Sequence, residues 1–266
     1  MGTFLSELAQ LWRLRGLVAV LTRREVVARY QGSAAGVLWA YIQPLLTIAA
    51  YYLVFDIVFA MRLGEHAPTT RVGTYLIVGS LAWMAFCDGF GRGTSSLLDA
   101  GSLLHKNALP PIIFPARTVL ASAVVFGPML LLITLAYAPV HRFALPVISV
   151  IPLLVLQIVM TFMLAYLFGI MAAALRDTVQ VVGFALQIGI FVSPVLFPIT
   201  MFPAAWRWVL WINPMTPVVS GWQSILLQGA WPSWSVWLAL VLWISGAALL
   251  LSVAVRRSHD QLVDWL

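Results

Sequence analysis

The sequence predicts an all-α polytopic membrane protein, and three observations predict it. Of 266 residues, 62% are hydrophobic and only 9% are charged, whereas a soluble domain carries about 25% charged residues. The apolar residues gather into stretches close to the roughly 20 residues that a membrane helix needs. The basic residues collect in alternate loops, as topology signals do.

Residues 1–36 are expected to form an interfacial helix rather than a span. Arg13, Arg15, Arg23, Arg24 and Arg29 interrupt every early apolar run. No small-residue cleavage site follows a clean apolar core, so the segment does not read as a removable signal. Ser6, Gln10 and Arg13 share one helical face, while Leu5, Leu8 and Trp12 share another. That suits a helix lying in the headgroup region, apolar side down. A plain membrane anchor with no further role is the competing reading.

Six stretches qualify as spans: 37–61, 72–91, 112–137, 145–174, 179–200 and 234–255. Residues 37–255 thus form a six-span bundle, 256–266 a tail, and 1–266 a single transmembrane domain. Residues 201–233 are broken by Pro203, Asn213, Pro214, Pro217 and Pro232 and are expected to dip into the membrane without crossing. With the N-terminus inside, ten basic residues fall on the cytoplasmic side: Arg13, Arg15, Arg23, Arg24, Arg29, Arg92, Lys106, Arg176, Arg256 and Arg257. Four fall outside: Arg62, Arg71, Arg142 and Arg207. The asymmetry places both termini in the cytoplasm.

Several chemistries are excluded. The net charge of +6 comes from basic residues too few and too scattered for a nucleic-acid face. The one cysteine, Cys87, forms no disulfide within the chain and no cysteine-based metal cluster. A phosphate-binding loop needs Gly-x-x-x-x-Gly-Lys-Ser/Thr, and the only lysine, Lys106, lies in LLHKNALPP. His66, His105, His141 and His259 sit in different loops without metal-ligand spacing. No set of catalytic groups gathers at one depth, so no enzyme and no bound metal are expected.

The polar groups inside spans carry more information. A charge at the centre of a span costs about 2.5–3.5 kcal/mol. Asp88 stands four residues before Arg92, the spacing of a helical ion pair, and is expected to be structural. Asp56 reads equally as part of a wetted pathway or as a carboxylate reaching the interface. Arg117 is expected to reach the headgroups.

At 100° per residue, Tyr41, Tyr52, Phe55 and Phe59 fall within about 60° of one another. In the fifth stretch Gln180, Phe184, Gln187 and Phe191 recur at i, i+4, i+7 and i+11. Amides turned to lipid would lack partners, so this stripe should face protein or water. Rings that cover the apolar faces of sugars, with amides that meet their hydroxyls, suit a conduit for a glycan. Helix-packing seams explain the same stripes. Six of the twelve tryptophans lie within 206–234, which an interfacial belt explains.

The run RREVVARYQGSAAGVLWAYIQPLL resembles the start of type-2 ABC exporter permeases: a basic interfacial helix, Arg-Tyr, a small-residue step, then Leu-Trp and Gln-Pro. NALPPIIFPAR (107–117), LRDTVQVV (175–182) and VSPVLFPITMFPAAWRWVLWINPMTPVVSGWQSILLQGAWPSW (192–234) are similar to later family segments in the same order. Within the family the nearest likeness is to O-antigen and polysaccharide permeases, with capsule and teichoic-acid permeases close by. The family's usual basic residues after Phe-Pro are reduced here to Ala116-Arg117.

The resemblance implies a homodimer in a bacterial inner membrane, exporting a lipid-linked polysaccharide through a channel shared by two copies. No cofactor belongs to this chain. ATP and Mg would be held by two copies of a separate ATPase subunit. That motor would push on 94–106, including Ser96, Leu97, Asp99, Leu103 and His105. Tyr41, Tyr52, Phe55, Phe59, Gln180, Phe184, Gln187 and Phe191 would line the channel, and Arg23, Arg24 and Arg29 would meet the lipid carrier's phosphates. The same architecture could export a drug, lipid or other small molecule. An ion-coupled transporter would want midplane acidic groups and a repeat, and neither is evident.

Overall fold

A computed structural model describes residues 2–64, 67–106, 109–141, 144–258 and 261–265, and these contain helices and no β-strand beyond one isolated bridge between Arg62 and Arg71. The chain runs through α1 (Gly2–Arg13), α2 (Arg15–Ala28), α3 (Trp39–Tyr51), α4 (Val72–Asp99), α5 (Gly101–Lys106), α6 (Ile113–Tyr137) and α7 (Val150–Ala174). It continues through α8 (Thr178–Gly189), α9 (Arg207–Leu210), α10 (Met215–Gln228), α11 (Trp234–Ser258) and α12 (Leu262–Trp265). Five helical segments are long and apolar enough to cross a membrane: Gly36–Val58, Val72–Asp99, Ile113–Tyr137, Leu145–Ala174 and Trp234–Ser258. The protein is therefore a multi-pass, all-α membrane protein. The first of these segments, Gly36–Val58, is called span one below.

The fifth expected span differs. Over 179–200 only α8 is regular, and its 12 residues rise about 18 Å, short of the roughly 30 Å hydrocarbon core. Beyond Gly189 the backbone turns tightly, with Phe191 and Val192 N–H bonding three residues back to Ile188 and Gly189. Pro194 and Pro198 have no N–H to continue a helix.

The break leaves carbonyls that lipid cannot satisfy, and the segment after it, together with Tyr75 of α4, supplies their donors. Asn213 Nδ2 donates to Gly189 O at 2.8 Å and to Val192 O at 3.1 Å. Gln223 Nε2 and Tyr75 Oη both donate to Pro194 O, at 2.7 and 2.6 Å. Residues 201–233 are thus no simple loop. Within them α10 packs on α4 and α7 and ends at Gly229, whose positive φ of 62° suits glycine.

The centre of the bundle is α4, packed chiefly on α6, α7 and α10. Close approach to α7 depends on small residues: a Cβ on Gly93 would lie 2.6 Å from Ala165 Cβ, and one on Gly89 would lie 2.9 Å from Thr161 Cγ2. The core also holds paired polar atoms. Gln157 Nε2 donates to Ala82 O at 3.0 Å, and its Oε1 accepts from the fully buried Trp222 at 3.0 Å. Trp206, Trp208, Trp231 and Trp234 are exposed, as an interfacial belt requires, whereas Trp222 is a core residue.

The N-terminal segment is two helices joined at Leu14, not one continuous helix. Phe4, Leu8 and Leu11 of α1 face the core, while Leu5 and Trp12 are exposed. Tyr166 Oη of α7 donates to Glu7 Oε2 at 2.8 Å and ties α1 to the bundle. α2 lies against α6.

Candidate functional site

Span one and α8 both pack on α4 but bury little of themselves. Between them, Met84, Cys87 and Gly91 of α4 remain partly exposed. The result is a trough with α4 as floor and the two aromatic helices as walls.

On the α8 wall all four expected residues, Gln180, Phe184, Gln187 and Phe191, are exposed, Phe184 and Phe191 by 62% and 61%. The stripe faces away from its own subunit, and neither amide has a hydrogen-bond partner among the described residues. On the opposite side, α8 covers an aromatic ladder that the sequence reading missed. Trp83 and Phe86 lie 5.9 Å apart, and Phe86 and Phe90 5.2 Å. These three rings line a groove of about 350 Å³ beneath α8. Their i, i+3, i+7 spacing in the second span was the signal that could have revealed them.

On the span-one wall the helical phase changes. α3 passes at Tyr52 into a π-helix, Tyr52–Val58, a wider winding that recurs at functional sites. The ring ladder is therefore Tyr51–Phe55–Phe59, with centroids 6.3 Å apart at each step. Tyr52, expected in the stripe, leaves it because the 100° repeat fails in a π turn. Tyr41 is half-buried against the core, Phe55 is half-buried, and Phe59 is exposed.

Asp56 is neither a pathway group nor a carboxylate reaching for the interface. Its oxygens accept from Gly73 N at 2.7 Å, Thr74 N at 3.1 Å and Thr74 Oγ1 at 2.9 Å. It caps the start of α4, where free amides and the helix dipole favour an anion.

At the other end Asp88 is the hub of an ionic cluster. Arg92 Nε donates to Asp88 Oδ1 at 2.8 Å, the expected pair. Arg29 Nη1 donates to Oδ2 at 2.9 Å, and the Ser122 hydroxyl donates to the same oxygen. Arg29 Nη2 also reaches Thr118 O at 3.2 Å. Glu25 lies 3.7 Å from both Arg29 Nε and Arg117 Nε.

Two expectations are corrected here. Arg29 has a side chain only 5% exposed and is committed to this cluster, not to lipid phosphates. It lies on the buried line Val18, Thr22 and Val26 of α2, a spacing of i, i+4, i+8, i+11. Arg117 turns to Glu25 and to the Phe114 ring, 5.0 Å away, rather than to headgroups. Arg23 and Arg24 are exposed and line an open groove on α2.

The residues expected to meet a motor divide as well. Ser96 and Leu97 are buried where α4 meets α7, with Ser96 Oγ bonded to Gly93 O at 2.7 Å. They cannot present a contact surface. Asp99 and Leu103 face outward, and Asp99 accepts from Ser95 Oγ at 3.0 Å. The side chain of His105, and residues Asn107 and Ala108, lie outside the described residues. Among the described residues no group of histidine, cysteine or carboxylate side chains could hold a metal ion.

The family described as ABC-2 type transporter matches residues 16–227, most of the chain. The chain is 30% identical to the O-antigen export system permease protein RfbA of Myxococcus xanthus, over 84% of this chain and 85% of that one. It is 23% identical to the RfbA protein of Klebsiella pneumoniae, over 80% and 81%. It is 21% identical to the polysialic acid transport protein KpsM of Escherichia coli, over 92% and 93%.

Proposed function

The chain belongs to the ABC-2 type transporter family, and from that membership we propose that it is the permease subunit of an ATP-driven exporter of a lipid-linked, O-antigen-like polysaccharide. Two copies form the conduit in a bacterial inner membrane, with both termini in the cytoplasm. Two copies of a separate ATPase subunit bind ATP and Mg. The sequence itself has no phosphate-binding loop.

The observation that carries this reading is the outward stripe of α8. Gln180 and Gln187 alternate with Phe184 and Phe191 on a face that no part of the same subunit covers. An amide turned to hydrocarbon costs a few kcal/mol. A second subunit, or a sugar chain between the two, removes that penalty. Rings flanking amides also match a glycan, whose ring faces are apolar and whose edges carry hydroxyls. The likeness to two O-antigen permeases and a polysialic acid transport protein points to the same substrate class.

In this mechanism ATP-driven closure of the motor presses on Asp99, Leu103 and α5, and the movement reaches α4. Arg23 and Arg24 meet the phosphates of the lipid carrier. Span one and α8 part across the trough, and the glycan advances along it.

The test is deletion of the gene. Surface polysaccharide should disappear while its lipid-linked form accumulates on the cytoplasmic side. Restoration by wild-type protein but not by the double variant Gln180→Leu, Gln187→Leu is expected. Normal surface polysaccharide in the deletion strain would refute the proposal.

A further inference from the structure

Beneath span one lies a cleft of about 490 Å³ between α3, α4 and α6. Its lining is mixed: Met84, Cys87 and Phe126 are apolar, while Tyr30, Gln43, Asp88 and Arg92 are polar. Arg92 is 54% exposed and uses only Nε to bond Asp88. Its two terminal amino groups have no hydrogen-bond partner among the described residues.

Along α4 the charged and apolar groups of this lining lie at different depths. Arg92 stands 20 residues beyond Val72, the start of α4, which is about 30 Å along the helix. That equals one hydrocarbon thickness, so Arg92 sits at headgroup level when Val72 is at the opposite boundary. Met84 and Cys87 lie about 8–12 Å deeper, at the level of acyl chains. The local charge favours an anion. In the ionic cluster beside it Arg29, Arg92 and Arg117 outnumber Glu25 and Asp88 by one positive charge.

We infer that this cleft holds an anionic phospholipid, with its phosphate on the free amino groups of Arg92 and one acyl chain along Met84, Cys87 and Phe126. The occupant is a resident lipid, not the exported molecule. It wedges span one away from α4 and fills space that the protein's own side chains leave empty. A guanidinium suits the task because it offers phosphate two parallel donors. Tyr30, which lies before the start of span one, can add a hydrogen bond. The cleft shares Met84, Cys87 and Gly91 with the floor of the trough, so the resident lipid flanks the conduit of the proposed function, whose cargo the inference does not specify.

The experiment is native mass spectrometry of the purified, intact permease released from nanodiscs of equal phosphatidylglycerol and phosphatidylethanolamine. Retained phosphatidylglycerol is expected on the wild type, with phosphatidylethanolamine at a lower level. Arg92→Gln should reduce that retention about tenfold, the ratio for loss of one charge-assisted bond. Arg92→Lys should retain part of it. Met84→Trp, which fills the interior and leaves the arginine in place, should also abolish it. Arg257→Gln, at an exposed arginine at the end of α11, should change nothing. Equal retention by wild type, Arg92→Gln and Met84→Trp would overturn the inference. So would displacement of all bound phosphatidylglycerol by a stoichiometric polyprenyl phosphate, which would make the cleft a substrate site. Polysaccharide export measured in parallel separates this result from the functional proposal, since either can fail alone.

Discussion

Two spans of similar hydropathy have opposite fates. α4 buries 67% of its most apolar stretch, and span one buries 11% of its own. Mean hydropathies of 1.3 and 1.5 do not separate them. The difference lies in the partners. α4 meets α6, α7 and α10, the first two through small residues, Gly89 and Gly93, that let backbones approach. Span one carries Leu45, Leu46, Leu53 and Phe59 on exposed faces and touches its own subunit chiefly along α4. Hydrophobicity states that a helix enters the bilayer. It does not state whether protein or lipid surrounds it there, because lipid tails are as apolar as leucine.

Four experiments break or sharpen this contrast. The largest effect is expected at the hub of α4. Asp88→Ala strands Arg29, a buried guanidinium, and loss of one partner from a buried pair costs about 3–5 kcal/mol. Thermal unfolding in detergent should show a lowered midpoint, and an unchanged one would mean that the cluster does not hold α2 to the bundle.

Next comes the broken span that flanks α4. Asn213→Ala removes the donor to the carbonyls of Gly189 and Val192, a loss of about 1–3 kcal/mol. The same melting assay reads it, and Asn213→Asp, which cannot donate when ionised, should not restore stability.

A smaller effect belongs to the outer end of span one. Asp56→Ala leaves the amides of Gly73 and Thr74 without their acceptor, worth about 1–2 kcal/mol by analogy with helix caps. Hydrogen exchange at those two amides should quicken, while the middle of α4 stays protected.

The smallest effect on stability is expected on the exposed wall. Gln187→Leu should alter the monomer's stability by no more than about 0.5 kcal/mol and yet lower export. A large fall in melting temperature of the isolated subunit would show that α8 is a packing element, and the contrast between the walls and the floor would fail.

The five long spans were legible because nothing else explains runs of that length and apolarity. The break after Gly189 was half-legible. Pro194 and Pro198 mark it, but Ile190–Ile199 remains apolar enough to read as membrane. Hydropathy sums side chains, and a break is a property of the backbone. Arg29 was read with Arg23 and Arg24 because composition treats arginines alike. Its phase with Val18, Thr22 and Val26 set it apart, and a helical wheel would have shown it. Tyr51 replaced Tyr52 in the ring ladder because no sequence rule announces a π turn. The roles of Asp56 and Asn213 depend on partners far along the chain or across a broken helix, and only folding brings them together.

Span one is pinned at two points. Asp56 fastens its far end to the first turn of α4, and Arg29, just before its near end, is fastened to Asp88. The stretch least constrained by these two ties lies near Thr47, midway between Gly36 and Val58.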